Sequence, residues 1–235
     1  MKLGYDEYYN PIELDVETHC HMLVVGSSGS GKTYAWWYFL GRLLQENPNL
    51  KVTISDFKRE FDLLEDCGNY YGGLDAYDGI MEFYQSFCKS RDIGKNQCRH
   101  LLVLEEYAAL ISYLTMADKA NKTKKANEIM AVIAEILMLG RSLKYSIWVI
   151  MQRADAAFFS NGARDNFMAV IGLGSLSSVQ WQMLFNGEEI PNKRFGTGQG
   201  IILADGQPLH DIYVPKIKNI IEWNRHMSSA LKRHK

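Results

Sequence analysis

The run Gly26-Ser27-Ser28-Gly29-Ser30-Gly31-Lys32-Thr33 fits the phosphate-binding pattern G-x-x-x-x-G-K-[ST] at every fixed position. Its chemistry is anion capture. The glycines let the backbone curl so that successive N–H groups face a phosphate, Lys32 reaches the outer phosphates of a nucleotide, and Thr33 offers a hydroxyl to Mg²⁺. Two acids, Glu105 and Glu106, close the apolar run His100-Leu101-Leu102-Val103-Leu104. Beside a phosphate loop, the first carboxylate suits a metal and the second suits a base that polarises the water attacking a γ-phosphate. Gln152 ends another apolar run, Ser146 to Met151. An amide there can hydrogen-bond the γ-phosphate or the attacking water.

Elements must bring these groups together. Met22-Leu23-Val24-Val25 reads as a buried strand leading into the loop, and Trp36, Phe39, Leu40, Leu43 and Leu44 recur at helical spacing until Asn47-Pro48 stops the helix. Lys51 to Asp56 is a second buried strand, and strand-helix-strand order implies a parallel crossover. The stretch Leu63 to Gly73 reads as loop, a helix runs from Asp75 to about Ser90, and Glu106 closes the third strand. From Met116 to Glu128 the chain carries Lys119, Lys122, Lys124 and Lys125 with no large apolar residue between Met116 and Ile129, which predicts an exposed mobile loop. A helix on Ile129, Val132, Ile133, Ile136 and Leu137 ends at Gly140-Arg141-Ser142, ahead of the strand that Gln152 closes.

Ala169 to Leu173 is a fifth strand, Leu176 to Phe185 a short helix, and two strands around Asp205-Gly206 a hairpin. The segment 1–20 reads as a lead-in on the nucleotide side, with Ile12 to Val16 alternating like an edge strand. Residues 21–216 form the nucleotide-binding domain. Residues 217–235 form an amphipathic helix with the basic end Lys232-Arg233-His234-Lys235. In an open α/β sheet, ligands sit at the carboxyl ends of the strands, where the loop, the two acids and Gln152 all fall. The fold class is α/β, a mostly parallel central sheet flanked by helices.

The 235 residues suffice for one α/β domain with a full core, and 47% hydrophobic with 23% charged residues is ordinary globular usage. No apolar run reaches the ~18 residues of a membrane span, and the first residues lack a signal peptide's apolar core, which points to the cytoplasm. Cys20, Cys67, Cys88 and Cys98 form no C-x-x-C pair and read as reduced thiols. A net charge of −1 confines any nucleic-acid contact to a local basic patch.

Taken together, His21 to Thr33, Ile54-Ser55-Asp56-Phe57-Lys58, Leu101 to Leu110, Gly140-Arg141 and Ile150-Met151-Gln152-Arg153 resemble the motor domain of the FtsK/SpoIIIE DNA translocases, within the FtsK–HerA group of P-loop ATPases. The resemblance covers roughly residues 20 to 215. It implies a RecA-like P-loop NTPase fold and ATP with Mg²⁺ as cofactors. On it, Gly26, Ser27, Ser28, Gly29, Ser30, Gly31, Lys32 and Thr33 bind nucleotide, Thr33 and Glu105 hold the metal, and Lys32, Glu106, Gln152 and Arg141 carry catalysis. It further implies a homo-hexameric ring threading double-stranded DNA, with Lys119, Lys122, Lys124 and Lys125 and the segment Phe158 to Arg164 facing the pore. Arg141 falls where the family places an arginine at the subunit boundary, with Arg153, Arg164 and Arg194 as other candidates.

Departures from the family are specific. Glu105 stands where the family has Asp, and Ala154 where it has Pro. No membrane-spanning or winged-helix part fits, which makes the chain similar to a stripped-down motor of packaging or conjugative systems, with element- or virus-encoded proteins as partners. Two other functions share the loop. One is an ATP-binding switch or scaffold with little turnover, which the Glu105 departure keeps open. The other is a small-molecule kinase, which predicts an arginine-rich lid that this sequence lacks.

Overall fold

The computed structural model describes residues 1–232. Ten strands form one sheet: β1 (Lys2–Tyr5), β2 (Pro11–Glu13), β3 (Met22–Gly26), β4 (Lys51–Asp56), β5 (Tyr70–Gly72), β6 (His100–Glu105), β7 (Tyr145–Met151), β8 (Ala169–Leu173), β9 (Gln199–Ala204) and β10 (His210–Tyr213). Among the described residues six α-helices accompany them: α1 (Lys32–Glu46), α2 (Ala76–Ile93), α3 (Tyr107–Asn121), α4 (Lys125–Leu139), α5 (Ser178–Leu184) and α6 (Ile220–Lys232). Strand order is β2-β1-β10-β9-β8-β3-β7-β6-β4-β5. The block from β8 to β5 is parallel, and the strands from β9 to β2 are antiparallel additions at one edge.

The central strands are apolar throughout because both faces are covered. On β3, Leu23 and Val25 pack with α2, α3, α4 and α5, while Met22 and Val24 pack with α1, α6 and Leu3 of β1. β7 repeats the alternation, with Ile147, Val149 and Met151 on one face and Trp148 and Ile150 on the other. The crossover through α1 joins β3 to β4, yet β7 and β6 lie between them. Pairing of Val25 with Met151 and of Ile150 with Glu105 brings the carboxyl ends of β3, β7 and β6 to one level.

Four local expectations change. The lysine segment is helical except for a turn at residues 122–124. Lysine, alanine and asparagine tolerate a helix without an apolar stripe, and Asp118 organises the turn: its carboxylate accepts the N–H groups of Lys125 (3.0 Å) and Ala126 (2.8 Å) and the Thr123 hydroxyl. The stretch 63–73 contains β5, a short parallel edge strand on β4. The lead-in segment extends the sheet through β1, which pairs with β10, and its strand β2 is Pro11–Glu13 and does not reach Val16. Phe158 ends one 3₁₀ turn (Ala156–Phe158) and Arg164 lies in another (Ser160–Asn166), with Phe159 buried between them and the Arg164 guanidinium donating to the Ala154 carbonyl at 3.0 Å. The last basic residues, 233–235, lie outside the described residues.

β9 hangs on β8 through a close approach at Gly200. A Cβ there would lie 2.0 Å from the Gly172 carbonyl oxygen and 2.9 Å from the Leu173 Cα, both backbone atoms that cannot rotate away. Gly200→Ala is therefore expected to cost at least the ~1–3 kcal/mol typical of overpacking, read as a fall in the urea midpoint. An unchanged midpoint would mean that the β8–β9 pairing yields locally.

Candidate active site

The loop after β3 is shaped by its own glycines and by a segment from far along the chain. Gly31 takes φ 92°, a left-handed conformation that suits glycine, and caps α1. A Cβ on it would meet the Gly198 nitrogen at 2.9 Å. That nitrogen donates to the Ser30 carbonyl at 2.9 Å, and the Thr197 hydroxyl donates to the Gly29 carbonyl at 3.0 Å. The approach to β9 thus laces the loop in place. No acid occupies the first turn of α1, so the positive end of its dipole faces the loop uncompensated. Lys32 folds back, its ammonium donating to the Ser27 carbonyl at 3.1 Å. Burial lowers its pKa from the usual lysine value, and Glu106 and Glu105 pull it back up.

Glu105 ends β6 and is 1% exposed. The Thr33 hydroxyl donates to its Oε1 at 2.8 Å and approaches the exposed Glu60 Oε2 at 3.2 Å. The other oxygen of Glu105 is buried with no partner among the described residues. Burial pushes this carboxyl up to about 8; the Thr33 hydrogen bond lowers it, and Glu60, Glu106 and Asp56 raise it further. An orphaned carboxylate oxygen beside a hydroxyl is a donor set for a hard dication, so these residues fit Mg²⁺. Thr33 and Glu105 would hold it, and when bound it neutralises phosphate charge. No group of three or more His, Cys, Asp or Glu gathers as a metal cage among the described residues. Phosphate and water oxygens would complete such a shell, as is usual for Mg²⁺.

Glu106 stands in the left-handed region (φ 54°, ψ 41°) as the residue before α3, and it is 7% exposed. This break between strand and helix turns the second carboxylate toward the neighbouring strand ends. Gln152 Nε2 donates to Glu106 Oε1 at 3.3 Å, and the Lys58 ammonium pairs with the same oxygen at 3.1 Å. Gln152 is steadied in turn by Gln180 of α5, whose amide donates to the Gln152 carbonyl at 3.1 Å. Such an arrangement can bind a phosphate, hold a cation beside it, and present a carboxylate oxygen to a water on the far side of the phosphate.

Lys32, Thr33, Glu105, Glu106 and Gln152 therefore converge. Four contributors escape the motif reading: Lys58, Glu60, Gln180 and the Thr197-Gly198 lacing. A signal existed for the first two, because residues following β4 must emerge at the same carboxyl edge. Asp56, the acid ending β4, is fully buried and spends its oxygens on the Lys58 and Phe61 N–H groups (both 3.2 Å) and the Tyr70 hydroxyl (2.9 Å).

Arg141 lies elsewhere. It precedes β7, at the amino edge of a parallel block whose carboxyl edge holds the loop, and its exposed side chain makes no hydrogen bond or ion pair among the described residues. Lys119, Lys122, Lys124 and Lys125 are all exposed. Lys125 sits 4.5 Å from the Tyr77 ring centroid, in the first turn of α2 and so on the carboxyl side of the sheet.

Fold and site define a P-loop nucleotide-binding protein. No family profile matches the chain. Among curated proteins it is similar to the FtsK domain-containing protein YdcQ of Bacillus subtilis (strain 168), 24% identical over an alignment of 229 positions that covers 90% of this chain and 46% of that protein. The chain thus spans just under half the length of that relative. Among solved structures it is similar to the pCW3 conjugation coupling protein TcpA, in its monomer form with ATPγS, at TM-score 0.76 and 16% identity over 97% of this chain and 70% of that one. It is also similar to the cytoplasmic domain of the Thermomonospora curvata type VII secretion ATPase EccC, at TM-score 0.70 and 18% identity over 99% of this chain and 31% of that one. The resemblance to FtsK–HerA ATPases read in the sequence holds across the chain.

Two outcomes follow from the site. Lys32→Ala is expected to lose nucleotide affinity by leaving phosphate charge unpaired, whereas Glu106→Gln keeps binding and loses turnover; wild-type hydrolysis by Glu106→Gln would remove Glu106 as the base. The second concerns pH. Because the Glu105 carboxyl rises from 4.5 to about 8 on folding, the folded state holds the extra proton between those values. Stability of the nucleotide-free protein therefore falls as pH climbs through that window, by at most ~1.4 kcal/mol for each pH unit, and levels off above it. Glu105→Gln should flatten this slope in urea titrations; an unchanged slope would place the cause in another group.

Proposed function

We propose that this chain is the motor of an ATP-driven, FtsK–HerA-type machine that moves double-stranded DNA. The observation that carries the reading is the convergence of three adjacent strand ends on one loop: Thr33 with Glu105, and Glu106 with Gln152. A scaffold that only binds nucleotide has no use for a second acid aimed by a neighbouring amide. The DNA partner is supported by the exposed lysines around the α3–α4 turn, on the nucleotide side of the sheet, where they would neutralise backbone phosphates without reading bases. The conjugation coupling protein among the structural neighbours is consistent with such cargo. A hexameric ring is the assembly we infer. Arg141 lies at the opposite edge from its own loop, so it serves catalysis only by reaching the γ-phosphate of a neighbouring subunit, as arginine fingers do.

A second reading is favoured by two features. Glu106 is paired with Lys58 and Glu105 holds a proton at neutral pH in the nucleotide-free state, which suits a switch that binds ATP and turns over slowly. Steady-state ATPase with and without duplex DNA separates the two. The motor predicts DNA-stimulated turnover; ATP binding with no stimulation supports the switch. Replacing Lys119, Lys122 and Lys124 by Ala should weaken duplex binding without sequence preference and reduce its salt slope by about one unit per lost phosphate contact. An unchanged slope would leave these lysines as a solvated surface.

A further inference from the structure

The segment after β4 is clasped to both halves of the site. Its ends are fixed: Phe57 packs on Tyr113 with ring centroids 5.5 Å apart, and Phe61 is buried against Trp36 and Trp37 at 4.7 and 5.0 Å. Asp56 holds the backbone between them through the N–H groups of Lys58 and Phe61. Only Lys58, Arg59 and Glu60 project into solvent from this strap. Arg59 turns away to Asp75 at 4.0 Å, while Lys58 reaches Glu106 and Glu60 reaches Thr33. The moving parts are therefore two side chains on a fixed backbone.

The pair between Lys58 and Glu106 is asymmetric. The lysine side chain is 39% exposed and the glutamate 9%, so the carboxylate depends on the ammonium more than the reverse. Lys58 pairs with Glu106, and both charges act on Lys32, whose ammonium folds back onto the loop at the Ser27 carbonyl. A γ-phosphate entering beside that loop is a polyanion within reach of the Lys58 ammonium. Lys58 then has two anionic partners and one charge to satisfy them. With the ammonium on Glu106, an oxygen the base needs for water is occupied; with the ammonium on phosphate, that oxygen keeps only Gln152 and is open to water.

We propose that Lys58 is a positioning residue that senses the γ-phosphate, leaving Glu106 for the nucleoside triphosphate and so releasing the base only when a triphosphate is bound. The inference rests on the ATPase reading of the site and adds a residue and a switching step to it. A diphosphate has no group at that place and leaves the pair intact. Glu106 and the γ-phosphate compete for one ammonium, so weakening either claim strengthens the other.

The test uses binding, which needs neither DNA nor turnover. Titration of the full chain with ADP and with ATPγS, by calorimetry, should show Lys58→Ala losing about tenfold or more in ATPγS affinity while ADP affinity holds within about twofold; tenfold corresponds to ~1.4 kcal/mol. Lys58→Arg should restore most of the preference. Glu106→Gln should tighten ATPγS binding in the wild-type background and have no effect on it in the Lys58→Ala background, since only the competition couples the two residues. Equal losses for ADP and ATPγS, or additive effects of the two substitutions, would overturn the proposal and leave an ordinary ion pair. Should Lys58→Ala unfold, Lys58→Met keeps the apolar stem and is read by the same ratio. A wild-type chain that binds neither nucleotide would overturn the ATPase reading as well, whereas binding of both with an unchanged ratio overturns only the role of Lys58.

Discussion

The hydrogen bond from Thr33 to Glu105 spans β7, because the loop follows β3 and the acid ends β6 while β7 runs between them. A side chain can bridge that gap only if three strands end level, and in this sheet parallel pairing enforces it: Val25 opposes Met151, and Ile150 opposes Glu105. The register depends on apolar alternation on both faces, since a slip of one residue would carry Leu23 and Val25 to the wrong core and Glu105 away from the edge. The packing of the two layers and the chemistry of the site are therefore one constraint. Gln152 gains its place the same way, as the end of the strand in the middle.

The parts legible in the sequence are those written in local pattern. The loop motif, the buried runs and the helix carrying Trp36, Phe39 and Leu40 all encode their structure within a few residues. The hairpin at Asp205-Gly206 does so as well, with Gly206 at φ 74°. The illegible parts depend on long-range adjacency. Lys58 meets Glu106 only because β4 lies beside β6 in the sheet, although the helix after β3 gives no hint that two strands intervene. Thr197 and Gly198 reach the loop from the other side through β9 pairing on β8, a link of more than a hundred residues that no motif announces. The lysine segment shows the opposite failure. Lack of apolar residues suggested a loop, whereas helix propensity with Asp118 as organiser of the turn was the stronger determinant.

The two edges of the parallel block carry different kinds of charge. At the carboxyl edge, Glu60, Glu105 and Glu106 face Lys32 and Lys58, and every one of these groups has a partner in the site. At the amino edge Arg141 projects with no ion pair among the described residues, on a turn that Gly140 keeps tight because a Cβ there would meet the Ile136 and Tyr145 carbonyl oxygens at 2.5 and 2.6 Å. The tight turn fixes the Arg141 backbone, while its exposed guanidinium has no anion among the described residues to hold it. Placement before β7 also separates it from the loop that follows β3 at the carboxyl edge.

Glu105, where the resemblance to FtsK/SpoIIIE motors implies an aspartate, carries the contact between the acid strand and the loop. Its side chain meets the Thr33 hydroxyl at 2.8 Å and so links loop and acid strand. The Glu105 carboxyl sits in a fully buried setting, with one oxygen unpartnered and three further acids raising its proton affinity. A protonated carboxyl is a weak ligand for a hard cation, so binding of Mg²⁺ by Glu105 has to displace a proton that a more exposed carboxylate at the same strand end would not hold. Ionisation of the two buried groups is mutually favourable: burial disfavours the charged form of both Lys32 and Glu105, and a charge on Glu105 raises the proton affinity of Lys32.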